Sequence, residues 1–95
     1  MKCIDMETIT VGASVIALTE AKHKNKYIKE ALISIEAGGI RITLNGTTAP
    51  ADGTKVGHAF PAGTSFTVDG PDIAKLKFTR MATTDAVINV SYFQS

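Results

Sequence analysis

Leu32-Ile33-Ser34-Ile35-Glu36-Ala37-Gly38-Gly39-Ile40-Arg41-Ile42-Thr43-Leu44-Asn45-Gly46-Thr47-Thr48-Ala49-Pro50 is the stretch whose reading decides the fold class. Ala31, Ile33 and Ile35 alternate with Leu32, Ser34 and Glu36, and Ile40, Ile42 and Leu44 alternate with Arg41 and Thr43. A period of two is the mark of a half-buried strand. Gly38-Gly39 between the two runs can supply the positive φ angles of a tight hairpin. Asn45-Gly46 then turns the chain again, and Thr47–Thr54, with Pro50, reads as a turn-rich loop. The expectation is a pair of strands joined as a hairpin at Ala37-Gly38-Gly39.

Working outward, Thr8–Thr19 is rich in β-branched residues and is broken at Gly12-Ala13-Ser14, as one or two short strands with a bulge would be. Glu20–Lys29 is polar and basic. Ala21, Tyr27, Ile28 and Ala31 give it a partial apolar face, but a solvated loop is the preferred reading. Val56–Phe60 and Ser65–Val68 read as short strands around the Pro61-Ala62-Gly63 turn, and Asp69-Gly70-Pro71-Asp72 as another turn. Ile73–Met81 sets Ala74, Leu76 and Phe78 against a wet face of Lys75, Lys77 and Thr79. After Thr83-Thr84-Asp85, the run Ala86–Phe93 places Ala86, Ile88, Val90 and Tyr92 on one face. Such a chain is expected to be all-β, a small antiparallel sandwich of about six to eight short strands with no substantial helix. It forms one domain over residues 1–95, with Met1–Val11 a candidate extended docking arm.

Composition excludes more than it suggests. The 95 residues carry a net charge of +1, so no strong field recruits nucleic acid or an anionic membrane. A chain of this size buries roughly 65% of the surface its unfolded form exposes, enough for a thin core. There is no Trp, and two Tyr and four Phe make a poor base-stacking platform. Cys3 is the single cysteine, so no disulfide forms within the chain, and a reducing compartment is the simplest expectation. Asp5 and Glu7 interrupt any apolar signal segment, and no apolar run is long enough to span a bilayer.

The residues offer little chemistry. His23 and His58 lie in no nucleophile elbow, HExxH run or histidine–carboxylate pattern. Asp52, Asp69, Asp72 and Asp85 sit at turns, where aspartate bonds its own backbone neighbours. Asp69 and Asp72 give Ca²⁺ two oxygens where it takes six or more. No GxxxxGK[ST] loop is present. Catalytic, metal and cofactor residues are therefore expected to be absent. Lys22, Lys24, Lys26 and Lys29 form the densest charge. They read as a solvated loop that guards a sheet edge, or as an arm that orders on a partner. With Met1, Ile4 and Met6 of the N-terminal segment they are the candidate docking residues. Gly38, Gly39, Asn45, Gly46 and Pro50 are candidate structural turns. Leu32, Val87 and Phe93 fall opposite their strands' alternating sets and mark a candidate second buried surface.

The order Glu36-Ala37-Gly38-Gly39, Ile40-Arg41-Ile42-Thr43-Leu44-Asn45-Gly46-Thr47 and Pro50 resembles small virion proteins of tailed phages. Their pattern is a Gly/Pro hairpin, an I-R-Y-x-L-D-G-T strand end and a nearby Pro. The likeness continues through Gly57-His58, Pro61-Ala62-Gly63, Ile73–Phe78 and Ala86–Phe93, and so runs from Ala31 to Phe93. Asn45 stands where that pattern has Asp, Ile42 stands for its aromatic, and Thr48-Ala49 lengthens the gap to Pro50. A similar signature occurs in sandwich modules appended to sugar-cleaving enzymes. The resemblance implies a non-enzymatic capsid decoration (cement) protein that clamps major capsid subunits. Its alternatives are a tail, neck or fibre-associated adaptor, or a sugar-binding module whose aromatic platform would draw on Tyr27, Phe60, Tyr92 and Phe93. The implied partners are the major capsid protein or other virion proteins, with a homo-oligomer open and no membrane or specific nucleic acid. The implied location is the virion, assembled in the host cytoplasm without a signal peptide.

Overall fold

In the computed structural model the described residues are 2–24, 26–46 and 57–95. Met1, Pro50 and the Thr47–Thr54 loop lie outside them. Seven strands and two single-turn helices follow in the order β1 (Lys2–Val11), α1 (Glu20–His23), β2 (Glu30–Ala37), β3 (Gly39–Thr43), β4 (His58–Pro61), β5 (Ser65–Asp69), α2 (Gly70–Ile73), β6 (Lys77–Arg80) and β7 (Ala86–Gln94). They form a four-stranded sheet, β1-β7-β2-β5, and a three-stranded sheet, β4-β3-β6, with every pairing antiparallel. The all-β expectation holds.

Alternation builds the core. Ala31, Ile33 and Ile35 of β2 and Ala86, Ile88, Val90 and Tyr92 of β7 turn inward and are buried. Ile40 and Ile42 of β3 and Phe78 of β6 meet them from the second sheet, and Val11, Leu18, Val68, Ile73 and Leu76 fill the ends. Burial of large apolar side chains at about 1.5–3 kcal/mol each is what holds so small a domain together.

The turn at Ala37-Gly38-Gly39 is not a hairpin. β2 is already paired on both edges, to β7 and to β5, so β3 has no edge of β2 to join and enters the other sheet. Gly38 alone takes a positive φ, +66°. Gly39 serves a different purpose, because a Cβ there would stand 2.7 Å from Met81 Cε and 3.1 Å from the Phe60 carbonyl oxygen. Pro61-Ala62-Gly63 likewise carries the chain from β4 in one sheet to β5 in the other. The Gly63 amide donates to the Ile35 carbonyl at 2.8 Å, and the Ile35 amide donates to the Thr64 carbonyl at 2.9 Å. The ladder between the two segments therefore continues through the fold-over.

The same device recurs at Gly12. β1 pairs with β7 up to Val11–Ala86; beyond the break the Arg80 amide donates to the Gly12 carbonyl and Ile16 bridges Phe78. With Ile16 standing for an eighth strand, the layers read β1-β7-β2-β5 and Ile16-β6-β3-β4. The chain changes layer at each connection except β3–β4. Its antiparallel pairs are nested: β1 with β7, Ile16 with β6, β2 with β5, β3 with β4. One long hairpin rolled into two layers is the winding of a jelly roll. Its short corners gather at one end, where Gly12 and Gly38 both face Asp85 and Gly39 faces Met81. At the other end lie α1, α2 and Gly46, which faces Lys75.

Other expectations need correction. Met1–Val11 is not a free arm, because Lys2–Val11 is an edge strand hydrogen-bonded along β7. The strand expected over Ile73–Met81 shrinks to Lys77–Arg80, because Pro71 starts a helical turn that Ile73 closes. Ala74 is exposed, and Thr79, assigned to the wet face, is buried. Leu32 is 38% exposed, while Val87 and Phe93 are half-buried. Their face is largely polar: Thr8 donates to Asn89 at 2.6 Å and Asn89 to Glu36 at 3.0 Å, so no continuous second apolar surface forms there.

Candidate functional site

The loop-bearing end is where side chains with chemistry converge. β1 turns Asp5, Glu7, Ile9 and Val11 toward the interior, so two acids occupy inward positions near the strand's start. Glu7 is held by two hydroxyls, Tyr92 from β7 and Thr19 from the segment before α1, each donating to one carboxylate oxygen. Asp5 accepts from Lys22 Nζ at 3.1 and 3.2 Å and from the Met6 amide at 2.8 Å. The Lys22 ammonium, then the Met6 amide, hold the Asp5 carboxyl below the ordinary carboxylate range. Burial, followed by the bond to Glu7, pushes the Tyr92 phenol well above its ordinary value. His23 stacks on Tyr92 with ring centroids 6.3 Å apart. The cluster pins α1 to the β1–β7 edge, and its inward acids oppose edge-to-edge pairing of β1.

Beyond His23 the connection turns outward. Lys24 pairs with Glu20 at 2.8 Å, an i,i+4 pair that lowers the Glu20 carboxyl and raises the Lys24 ammonium. Gln94 Nε2 donates to the Lys26 carbonyl, and the Lys29 amide donates to Phe93 O at 2.7 Å. Between these anchors Tyr27 stands 92% exposed with φ +53°, the left-handed region that side chains other than glycine seldom occupy. Lys24, Lys26 and Lys29 are exposed around it. A cleft of about 610 Å³ opens beside Tyr27, between α1 and α2, with Leu18, Ile28 and Ile73 among its lining and His23 at its boundary with the acid cluster.

The structure therefore divides the candidate docking residues. Lys24, Lys26 and Lys29 share one exposed turn. Lys22 is committed to Asp5. Ile4 packs against the core, and Met6, 62% exposed, lies on the outer face of β1. Met1 is outside the described residues. Of the four aromatic candidates, Tyr92 is buried, Phe93 is half-buried and Phe60 stacks on Phe66 at 4.7 Å, which leaves Tyr27 as the fully presented ring. Among the described residues no three of His, Cys, Asp and Glu are grouped to hold a metal ion, and no helix is long and apolar enough to cross a membrane.

Sequence reasoning missed the Glu7–Tyr92–Thr19 cluster, although acids on the inward beat of a strand signal it. Tyr27 was readable only as a candidate platform aromatic within the basic loop, not among the individual docking residues. No family model, curated protein or solved structure matches this chain.

Proposed function

We propose that this protein is a non-enzymatic structural component of a tailed-phage particle, a decoration protein that docks on the capsid lattice through the Lys24–Lys29 turn. One observation carries the docking site: Tyr27 is fully presented on a strained backbone among three exposed lysines. Strain of about 1–3 kcal/mol at such a residue persists only where the surrounding structure holds it, and residues so strained cluster at functional sites. Tyrosine is also among the side chains that dominate protein interfaces. The assignment to a phage particle rests on the resemblance over Ala31–Phe93, and the jelly-roll winding supports it at the level of fold alone, being common in viral capsid domains. The partner is the major capsid protein or a neighbouring virion protein. A stable contact buries about 1,600 Å² in total, more than one turn supplies, so the flanking loops share it.

The test mixes purified protein with capsids that lack it and counts the bound copies. Saturation at many copies per capsid, lost in the combined variant Tyr27→Ala, Lys26→Glu, Lys29→Glu, meets the proposal. A few copies per particle moves the protein to the tail or neck. No binding overturns the virion assignment. A second reading takes support from the same residue, since an exposed ring beside a cleft is also how a carbohydrate module begins. A glycan array without hits removes it.

A further inference from the structure

Among the described residues each layer ends in two edges, and β5 is the one edge left open. β1 carries the inward acids Asp5 and Glu7 and a bulge between Cys3 and Asp5. β4 is four residues long and ends in Pro61, which has no amide to offer. Across that layer the edge is reduced to the single bridge of Ile16. β5, Ser65-Phe66-Thr67-Val68-Asp69, has none of these devices: it runs along β2 without a bulge and holds no Pro and no Lys. The Gly70 amide donates to the Lys29 carbonyl at 2.7 Å and the Ile35 amide to the Thr64 carbonyl at 2.9 Å, which fixes the alternation of the ladder between them. Phe66 and Val68 turn their N–H and C=O to β2, and Ser65, Thr67 and Asp69 turn theirs to the open side. On the inner side of β5 lies a groove of about 450 Å³, with Leu44, Phe60, Phe66 and Val68 among its apolar lining and Asp69 and Asp72 among its polar lining. Leu44 is 46% exposed there.

We propose that β5 pairs antiparallel with β5 of a second copy across a two-fold axis at Thr67, joining the two four-stranded sheets into one. The strand is its own complement in that register. Thr67 faces the partner's Thr67, Ser65 faces the partner's Asp69, and Phe66 faces the partner's Val68. Outward polar residues meet polar ones, and inward apolar residues meet apolar ones. Asp69, the strand's single charge, meets a hydroxyl rather than a second carboxylate. The residues with free backbone groups are the ones that face each other, so each such pair exchanges both of its hydrogen bonds. Slipping by one residue would set inward against outward side chains, and slipping by two shortens the ladder. The partner's Phe66 lands beside Val68, at the groove, so main-chain bonds and an apolar contact act together, as in strand addition generally. The contact is isologous and closes at two copies. Five residues a side fall short of the about 1,600 Å² of a standard interface, so the dimer is weak and grows with concentration.

Sedimentation velocity of the full chain, from about 10 µM to about 1 mM, covers the range of so weak a contact. The expected result is a reversible dimer in the parent. Thr67→Pro removes a donor that faces the open side and so costs the β2 ladder nothing; it should weaken the dimer at least tenfold. Because Thr67 faces itself across the axis, Thr67→Lys and Thr67→Glu should each weaken the dimer by setting like charges directly opposite, and an equimolar mixture of the two should regain it as a heterodimer. Both charged side chains stand on the exposed outer face, so this pair decides the question even where Thr67→Pro does not fold. A parent that stays monomeric throughout, a dimer that a folded Thr67→Pro leaves unchanged, or a mixture that associates no more tightly than either charged variant alone overturns the proposal. No capsid is present, so the outcome is read apart from the decoration role.

Discussion

Replacing Gly38 and Gly63, one at a time, by alanine separates the cost of backbone conformation from the cost of crowding at the layer change. Both glycines take positive φ, +66° and +88°. A side chain in that region costs about 1–2 kcal/mol, and the stiffer unfolded chain returns about 0.4–1 kcal/mol of it. Gly63→Ala should therefore lose about 1 kcal/mol, because a Cβ there meets nothing within 4 Å. At Gly38 the Cβ would stand 2.8 Å from the Asp85 carbonyl oxygen and 3.0 Å from Ala86 Cα, both backbone atoms. Overpacking of this kind adds about 1–3 kcal/mol, for a total near 3 kcal/mol. The gap of about 2 kcal/mol corresponds to a difference in melting temperature of roughly 8–16 °C in a domain of this size. Urea unfolding of both variants, monitored by circular dichroism, measures it. Equal losses within about 0.5 kcal/mol would refute the reasoning: they would mean that the start of β7 does not sit against the Gly38 corner, as it would not if Ala37-Gly38-Gly39 closed an ordinary hairpin.

Three further outcomes follow from the loop-bearing end. Tyr27→Gly should raise stability by about 0.5 kcal/mol, since glycine accepts the left-handed backbone, while capsid binding falls at least tenfold; a variant that binds as well as the parent would detach the strain from function. Asp5 has a folded pKa below its unfolded value of about 3.9, so its pairing with Lys22 stabilises the fold above that value and is lost as pH falls through the folded one. The stability gap between the parent and Lys22→Met should therefore be open at pH 6 and narrow as the pH falls below about 3.9, a modest effect because both groups meet solvent. Tyr92 has a raised folded pKa, so stability should fall as pH climbs above about 10. Tyr92→Phe should flatten that alkaline limb, and an unchanged limb in the variant would assign it to other groups.

What the sequence reveals here depends on how far apart the interacting residues lie. The faces of β2 and β7 are legible because alternation is local: Ala86, Ile88, Val90 and Tyr92 are inward by the pleat alone. The positions of the bends are legible too, because Gly12, Gly38 and Gly63 mark them. Whether a bend returns a strand to its neighbour or carries it to the other layer is not local. At Gly38 the answer depends on β7 and β5 having taken both edges of β2, and neither fact is written near Gly38. Thr79 was misassigned for the same reason. The acid cluster joins residues from opposite ends of the chain, Glu7 with Tyr92, as does the Thr8–Asn89 bond on the outer face. Tyr27 was readable as an aromatic in a basic run; its positive φ and its exposure were not.

The winding explains why function should gather at one end. Nested pairing carries the chain through a layer change at every connection but β3–β4, and the corners near Asp85 are short because the ladder continues through them, as at Gly63 and Ile35. Side chains there are tied to the fold, and Gly38 and Gly39 leave no room for new ones. The connections that run from Ile16 to β2 and from β5 to β6 are freed from that constraint. They are long enough to form α1 and α2 and to present surface residues, as loops on a rigid scaffold commonly do. The acid cluster then makes one of them dependable. Glu7 and Asp5 on the edge strand grip Thr19 and Lys22, so the segment leading to Tyr27 is anchored on the body of the sandwich. Preorganisation lowers the ordering cost of binding. The inward acids of β1 thus guard a sheet edge and also fix the docking turn in place, and Lys22→Met removes one of the two grips, leaving Glu7 on Thr19 and both acids at the edge.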